Sequence, residues 1–142
     1  MNVFELTAKA VETLFKAQWE AGAHKDVPLA FANTAFNQPD AAAWVRLTVR
    51  FGTGIQASLG SRPLEKVPGV AFLQIFVPKG SGTREAYRMA DTASTVLRYR
   101  QVKEGGVVVD FGAPAVPGEQ EDKAHMQVTL NVPFTAQHIT GN

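Results

Sequence analysis

The chain has 142 residues, of which 45% are hydrophobic and 19% charged, a composition typical of a folded globular protein and unlike that of a disordered one. It contains no cysteine, which excludes disulfide bonds and cysteine-based metal sites. The length predicts one domain over residues 1–142, with a core at 3–135 and a flexible tail at 136–142.

The net charge of +1 is unevenly distributed along the chain. Residues 1–40 have three lysines against five acids, residues 41–100 have nine basic residues against three acids, and residues 101–142 have two lysines against five acids. Such a distribution suits orientation against a partner, and it is equally explained by charges that solvate different surfaces. Neither a signal peptide nor a membrane span is predicted, so we expect cytosolic synthesis.

Hydrophobic residues spaced by three and four positions predict two amphipathic helices. The first covers residues 3–20, and the second follows a turn at 78–82. The apolar stripe of the first helix is Phe4, Ala8, Val11, Phe15 and Trp19, and that of the second is Ala86, Met89, Ala90, Ala93, Val96 and Leu97. Three alanines in the second stripe predict close packing on a sheet.

Five strands are predicted from apolar runs and from alternation of apolar and polar residues. They cover residues 29–32, 44–51, 69–77, 107–111 and 126–134. Residues 52–68 are predicted to form an extended hairpin with a mobile tip. The order α-β-β-β-α-β-β indicates an α+β domain, with one mainly antiparallel sheet of four to five strands and both helices on one face.

The sheet face opposite the helices has an unusual predicted composition. Alternation places these side chains there: Trp44, Arg46, Thr48, Arg50, Phe72, Gln74, Phe76, Gln127, Thr129 and Asn131. Aromatic residues and arginine are enriched at protein–protein interfaces, so this face is a candidate for one. Two alternatives stay open: residues 52–68 fold back over this face, or a pocket lined by Arg46, Arg50 and Gln74 binds a small ligand.

No catalytic, cofactor or metal site is predicted. His24, His125 and His138 have no second histidine and no cysteine at helical or strand spacing. No nucleophile elbow is present. The acidic group at 119–122 lacks the oxygen-ligand pattern of a calcium loop, so we predict a solvated turn there.

The turn before the second helix contains Lys79, Gly80 and Gly82, which invites comparison with phosphate-binding loops. Its lysine precedes the glycines, and the Walker spacing is absent. We therefore predict a turn followed by a helix whose N-cap is Ser81 or Thr83.

These elements together resemble a known family. The sequence AWVRLTVRFGTGIQASLG (43–60) is followed by PGVAFLQIFVPKGSGTREAYRMADTAS (68–94), then GGVVVDFGAP (105–114) and MQVTLNVPF (126–134). The pattern is similar to the tail terminator (minor tail) proteins of long-tailed bacteriophages and prophages, over residues 3–135. The shared motifs are those of strands and turns rather than of a catalytic site.

The resemblance implies a structural virion protein that is not an enzyme and has no cofactor. Members of the family form a ring, typically of six subunits, at the head-proximal end of the tail, and they assemble in the host cytoplasm. The implied partners are further copies of the chain, the tail tube protein and a head-completion or connector protein. DNA would pass through the ring without specific nucleic-acid binding, and no membrane partner is implied.

In such a ring, we expect the second sheet face or its edges to contact the neighbouring subunit. The candidate interface residues are Trp44, Arg46, Arg50, Phe72, Gln74 and Phe76. The 52–68 loop, with Arg62 and Lys66, is expected to face the tail tube or the lumen. Three alternatives stay open: a head-completion or connector protein, a small ligand-binding or enzymatic domain using the open face, and a nucleic-acid-binding module.

Overall fold

The structure, a computed structural model, describes residues 3–32, 34–37, 39, 42–80, 82–121 and 125–139. Within these residues the chain forms two helices and eight strands. Their bounds are α1 Val3–Glu20, β1 Leu29–Phe31, β2 Trp44–Phe51, β3 Ile55–Gln56, β4 Leu64–Pro78, α2 Thr83–Leu97, β5 Gln101–Glu104, β6 Val107–Phe111, β7 Ala115–Glu121 and β8 His125–Ile139. The α+β prediction with two helices is confirmed.

The sheet is built around β4 and β8, which pair antiparallel along their full lengths. Beside one half of this pair lie β1 and β2 on the β4 edge and β7 on the β8 edge. Beside the other half lie β3 on the β4 edge, and β6 and then β5 on the β8 edge. Strand β1 runs parallel to β2, and the other pairings are antiparallel. The result is one curled sheet in which the two central strands have different neighbours at their two ends.

Two prolines lie where these neighbours change. The carbonyl of Pro68 accepts a hydrogen bond from Gly52 N at 2.8 Å, and that of Pro133 accepts one from Gly112 N at 2.8 Å. A strand residue directs its N and its C=O to the same edge. Pro68 therefore lacks an N–H at the point where β2 ends and β3 begins. Pro133 lacks one at the point where β6 ends and β7 begins. The ladder of backbone hydrogen bonds is interrupted at both points.

Gly69 is required by close packing at the same bend. A Cβ at this position would lie on the Phe134 ring and 2.5 Å from the carbonyl oxygen of Arg50. Because the glycine has no side chain, Phe134 crosses the backbone of β4 and packs edge-on against Phe51 and Phe111.

The core lies between the two helices and one face of the sheet. The inward residues of the central strands are fully or almost fully buried: Val45, Leu47, Ala71, Leu73, Ile75, Val77, Val128, Leu130 and Val132. All six residues predicted for the α2 stripe are buried, which confirms that stripe. The apolar residues that alternate along the strands and those spaced by three and four along α2 therefore pack together in a single apolar cluster.

The predicted stripe of α1 is partly wrong. Val11, Phe15 and Trp19 are buried, as expected, but Phe4 is 55% exposed. Helix α1 packs against α2, β5 and β6 as well as the central sheet, so its buried arc is wider and rotated. It includes Val3, Thr7 and Ala10, while Phe4 lies edge-on against Phe51 at 4.9 Å.

The prediction of four to five strands is also wrong, because the described residues form eight. The strands that were missed are β3, β5 and β7. Strand β3 has two residues, and every residue of β7 is exposed, so neither buries an alternating apolar face. Pro117 lies at a register shift between Ala115 and Gly118, where a strand tolerates proline.

The predicted boundary of the flexible tail is a further correction. Residues 136–139 continue β8 and pair with Leu64–Val67 of β4, while residues 140–142 lie outside the described residues. Gln137 also pairs with Val108 of β6. The strand continues because its backbone groups find partners on both edges.

The N-cap of α2 is Gly82, with φ 87° and no side-chain capping bond, so Thr83 is the first helical residue rather than the cap. Ser81, the other predicted cap, lies outside the described residues. In the part of the chain that is described, neither helix has the length and apolarity to cross a membrane.

Candidate interaction surface

The sheet face opposite the helices, here called the outer face, brings the predicted interface residues together. Strand register places them in rows across β2, β4 and β8: Trp44 with Phe76 and Gln127, Arg46 with Gln74 and Thr129, Thr48 with Phe72 and Asn131, and Arg50 with Val70 and Pro133. The period of two therefore located all six candidate residues on one face.

One end of the outer face is already covered within the chain. Trp44 and Phe76 stack with ring centroids 4.0 Å apart, and they are only 1% and 7% exposed. Ala30 completes their cluster, and Phe36 packs against it with its ring 5.1 Å from that of Trp44. Within the described residues this cover comes from the segment around Phe36 and not from residues 52–68, which continue the sheet instead.

His125 fastens the same end. Its Nε2 lies 3.0 Å from the carbonyl oxygen of Ala42, and its ring meets Phe76 edge-on. Since Ala42 lies two residues before the start of β2, this contact joins the segment that enters β2 to the start of β8.

The guanidinium groups of two arginines lie over aromatic rings of the outer face. The guanidinium carbon of Arg46 is 5.0 Å from the centre of the Trp44 ring, and that of Arg50 is 5.1 Å from the centre of the Phe72 ring. Within the described residues neither arginine has an ion pair. Stacking occupies the flat face of a guanidinium and leaves its N–H edges able to bond a carboxylate.

An open groove of about 260 Å³ lies beside Arg50. Its lining is rich in amides and hydroxyls and includes Phe72: Thr48, Arg50, Phe72, Gln74, Gln120, Gln127 and Thr129. Two of the three residues expected for a ligand pocket, Arg50 and Gln74, line this groove, and Arg46 does not. Gln120 of β7 forms part of its wall.

The residues predicted to face the tube or the lumen lie in the other half of the sheet. Strands β3 and β4 form a hairpin whose loop, residues 57–63, is held by Ser58. Leu64 N donates to Ser58 Oγ at 2.7 Å, and Gln56 Nε2 donates to the Ser58 carbonyl at 2.9 Å. Arg62 lies in this exposed loop, and Lys66 pairs with Ile55 at its base.

The tip of this hairpin is apolar as well as basic. Leu59 in the loop is 91% exposed, and Ile55 at the base of the hairpin is 59% exposed. At the base of the hairpin, His138 Nε2 contacts Glu65 Oε1 at 3.0 Å and joins β8 to β4. The structure therefore presents Arg62 on a braced projection.

Strand β7 adds charged residues that the sequence interpretation treated as a solvated turn. Glu119 pairs with Val128 and Glu121 with Met126, so both carboxylates lie on the helix side of the sheet. Glu119 accepts a hydrogen bond from the Tyr87 hydroxyl, and Glu121 lies 3.9 Å from Lys79 Nζ. The hydrogen bond to Glu119, then partial burial and the charge of Glu119, raise the pKa of Tyr87.

Within the described residues, no group of three or more histidine, cysteine, aspartate or glutamate side chains is placed to hold a metal ion. The chemistry that the described surface offers is therefore recognition by stacked arginines, amides, exposed apolar residues and carboxylates.

Comparison with known proteins identifies the family. A family model described as phage tail terminator protein matches residues 6–134, nearly the whole chain. One solved structure shares the fold, with a TM-score of 0.69 at 20% identity over 97% of this chain and 96% of the other. The search of curated protein sequences gave no match. The resemblance seen in the sequence is confirmed, and the chain belongs to the phage tail terminator family.

Proposed function

We propose that copies of this protein form a ring, of six subunits as is typical of the family, that caps the head-proximal end of the tail tube. The ring ends polymerisation of the tube and offers the surface to which the head is joined. The observation that carries this proposal is the family match over residues 6–134. Membership of the family already implies a structural role in the phage tail and in virion assembly.

The outer face supplies the contact between neighbouring subunits in this proposal. Arg46, Arg50, Phe72 and Gln74 are partly or fully accessible and meet the neighbour directly. Trp44 and Phe76 are buried, so they contribute by supporting the stacked guanidinium of Arg46 and the surface around it. This division follows the anatomy of interfaces, in which rigid aromatic anchors hold arginines in place.

The hairpin loop at 57–63 faces the tube or the lumen. Arg62 in the loop and Lys66 at the base of the hairpin give this projection positive charge, and the exposed Leu59 gives it an apolar tip. A braced loop of this kind suits contact with the last ring of the tube.

Electron microscopy of the purified protein, alone and with tail tube protein, tests the ring. We expect the wild type to form rings with a central hole, at least on the tube. A variant carrying Phe72→Asp and Arg50→Glu should stay folded and monomeric. Tyr99→Asp, at an exposed aromatic in the α2–β5 connection, is the matched control and should still form rings.

Rings formed by the Phe72→Asp, Arg50→Glu variant would contradict the assignment of the outer face. Failure of the wild type to form rings, even with tube present, would contradict the terminator role and would favour the head-completion alternative.

Replacement of residues 58–63 by Asn-Gly tests the loop. Ala57 N donates to the Leu64 carbonyl at 2.7 Å, so a two-residue turn can close the same hairpin. We expect rings to form but tail length to lose its control, as seen in tails assembled from components. Tails of normal length would contradict the proposed position of the loop.

A further inference from the structure

We propose that the acidic side of β7 in one copy docks on Arg46 and Arg50 of the next copy. This inference rests on the proposed ring and names the two surfaces that meet in it. The contact joins two different surfaces, as a head-to-tail ring requires, because a surface that pairs with itself yields a two-fold dimer.

The two surfaces lie on opposite sides of the central pair of strands, in the same half of the sheet. Strand β2, with the arginines, pairs with β4, and β1 pairs with β2 as the last strand on that side. Strand β7, with Glu119 and Glu121, pairs with the far edge of β8. A neighbour placed beside one edge therefore approaches with its opposite edge.

The two surfaces also lie on opposite faces. Arg46 and Arg50 are on the outer face, in register with Gln74 and Val70. The register of Glu119 and Glu121 with Val128 and Met126 places these carboxylates on the helix side. Because the sheet separates the two sets, they do not meet within one chain. They meet when the outer face of β2 in one copy overlaps the helix side of β7 in the next.

The charges of the two surfaces are complementary and accessible. Arg46 and Arg50 have stacked guanidinium faces and no ion pair in the described part of the chain. Every residue of β7 is exposed, and the side chain of Glu121 is 64% exposed with Lys79 at 3.9 Å. Arginine N–H edges and carboxylate oxygens form charge-assisted hydrogen bonds in a shared plane.

The uneven distribution of charge along the sequence matches the separation of the arginine surface from the acidic surface. The excess of basic residues falls in 41–100, which contains β2, and the excess of acids falls in 101–142, which contains β7. A head-to-tail contact brings the basic segment of one copy against the acidic segment of the next in every interface.

Paired charge reversals test the contact. Variant A carries Arg46→Glu and Arg50→Glu, and variant B carries Glu119→Lys and Glu121→Lys. Each alone places like charges against each other, so we expect association at least about tenfold weaker than that of the wild type by light scattering. An equal mixture of A and B should form rings in which the two variants alternate, and a chain with all four changes should form rings alone.

Arg98→Glu with Arg100→Glu is the matched control for variant A, because it changes the charge equally on exposed residues after α2. We expect it to associate like the wild type. Circular dichroism of A and B should match the wild type, and the four-change chain separates lost contact from lost folding.

The outcomes separate this contact from the ring itself. Wild-type rings together with undiminished rings of A and B would overturn the β7–arginine contact and leave the ring intact. The same holds if A and B fail alone and their mixture is not restored. Absence of wild-type rings, with and without tail tube protein, would overturn both proposals.

Discussion

The two faces of the sheet are made by the same strands, yet they differ in what completes them. On the helix side, Leu73 and its neighbours are fully buried by α1 and α2. On the outer face, the next residue along β4, Gln74, lines an open groove. Alternate residues of one strand therefore stabilise the core on one side of the sheet and stay accessible to a neighbouring subunit on the other.

The outer face is itself divided. At one end Trp44 and Phe76 form a small second core under Phe36, and at the other end Phe72 and the stacked arginines stay accessible. An aromatic residue on this face therefore either stabilises the fold or stays available to a partner, and which of the two holds depends on whether another segment of the chain covers it. Stability measurements can test this difference directly.

The largest effect is expected for Trp44→Ala. This side chain is 1% exposed, and its removal leaves a cavity between Phe36 and Phe76, so the free energy of unfolding should fall by about 4 kcal/mol. Phe72→Ala is the comparison on the accessible part of the same face, with an expected loss of about 1 kcal/mol. Denaturant titration of the monomers measures both values, and equal losses would contradict the division of the outer face.

A smaller loss is expected at the bend of the central strands. In Gly69→Ala the new methyl group meets the Phe134 ring and the Arg50 carbonyl, so we expect a loss of about 2 kcal/mol. Gly118→Ala is the control, because a Cβ there has no atom within 4 Å and should change stability by less than about 0.5 kcal/mol. If Gly69→Ala unfolds at the same denaturant concentration as the wild type, the close packing at this bend is not needed.

The smallest effect concerns the link between β7 and α2. Glu119→Gln removes the charge and the carboxylate acceptor that raise the pKa of Tyr87, so this pKa should fall towards the ordinary tyrosine value. Ultraviolet titration of the tyrosines, with Tyr87→Phe to assign the signal, measures the change. Glu121→Gln, at the contact with Lys79, should leave the titration of Tyr87 unchanged, and an equal fall in both variants would contradict the specific hydrogen bond.

The elements that were foreseen are those with a buried face. In helix α2 and in the paired segments of β2, β4 and β8, side chains that face the core recur at a regular spacing. The sequence shows that spacing directly as a pattern of apolar and polar residues. The same period of two places Arg46, Arg50 and Phe72 on one surface.

The elements that were missed have no such face. Strand β7 is exposed along its length, and residues 136–139 form a strand because β4 provides backbone partners for all four and β6 for residues 136 and 137. Hydrogen bonds between distant segments leave little trace in local composition, since every residue type except proline carries the same backbone donor and acceptor. Glu119 and Glu121 were therefore assigned to a turn.

The sequence by itself determined the α+β class, the inward and outward residues of the main strands and the resemblance to phage tail terminator proteins. Only the tertiary structure decided how far β4 and β8 extend, which aromatic residues of the outer face are covered, and that Arg46 and Arg50 lie on the opposite side of the sheet from Glu119 and Glu121. The reason is physical. Periodicity is a property of residues that are neighbours in the sequence, whereas the burial of a residue, its distance from the sheet edge and the face it lies on depend on which distant strands pair.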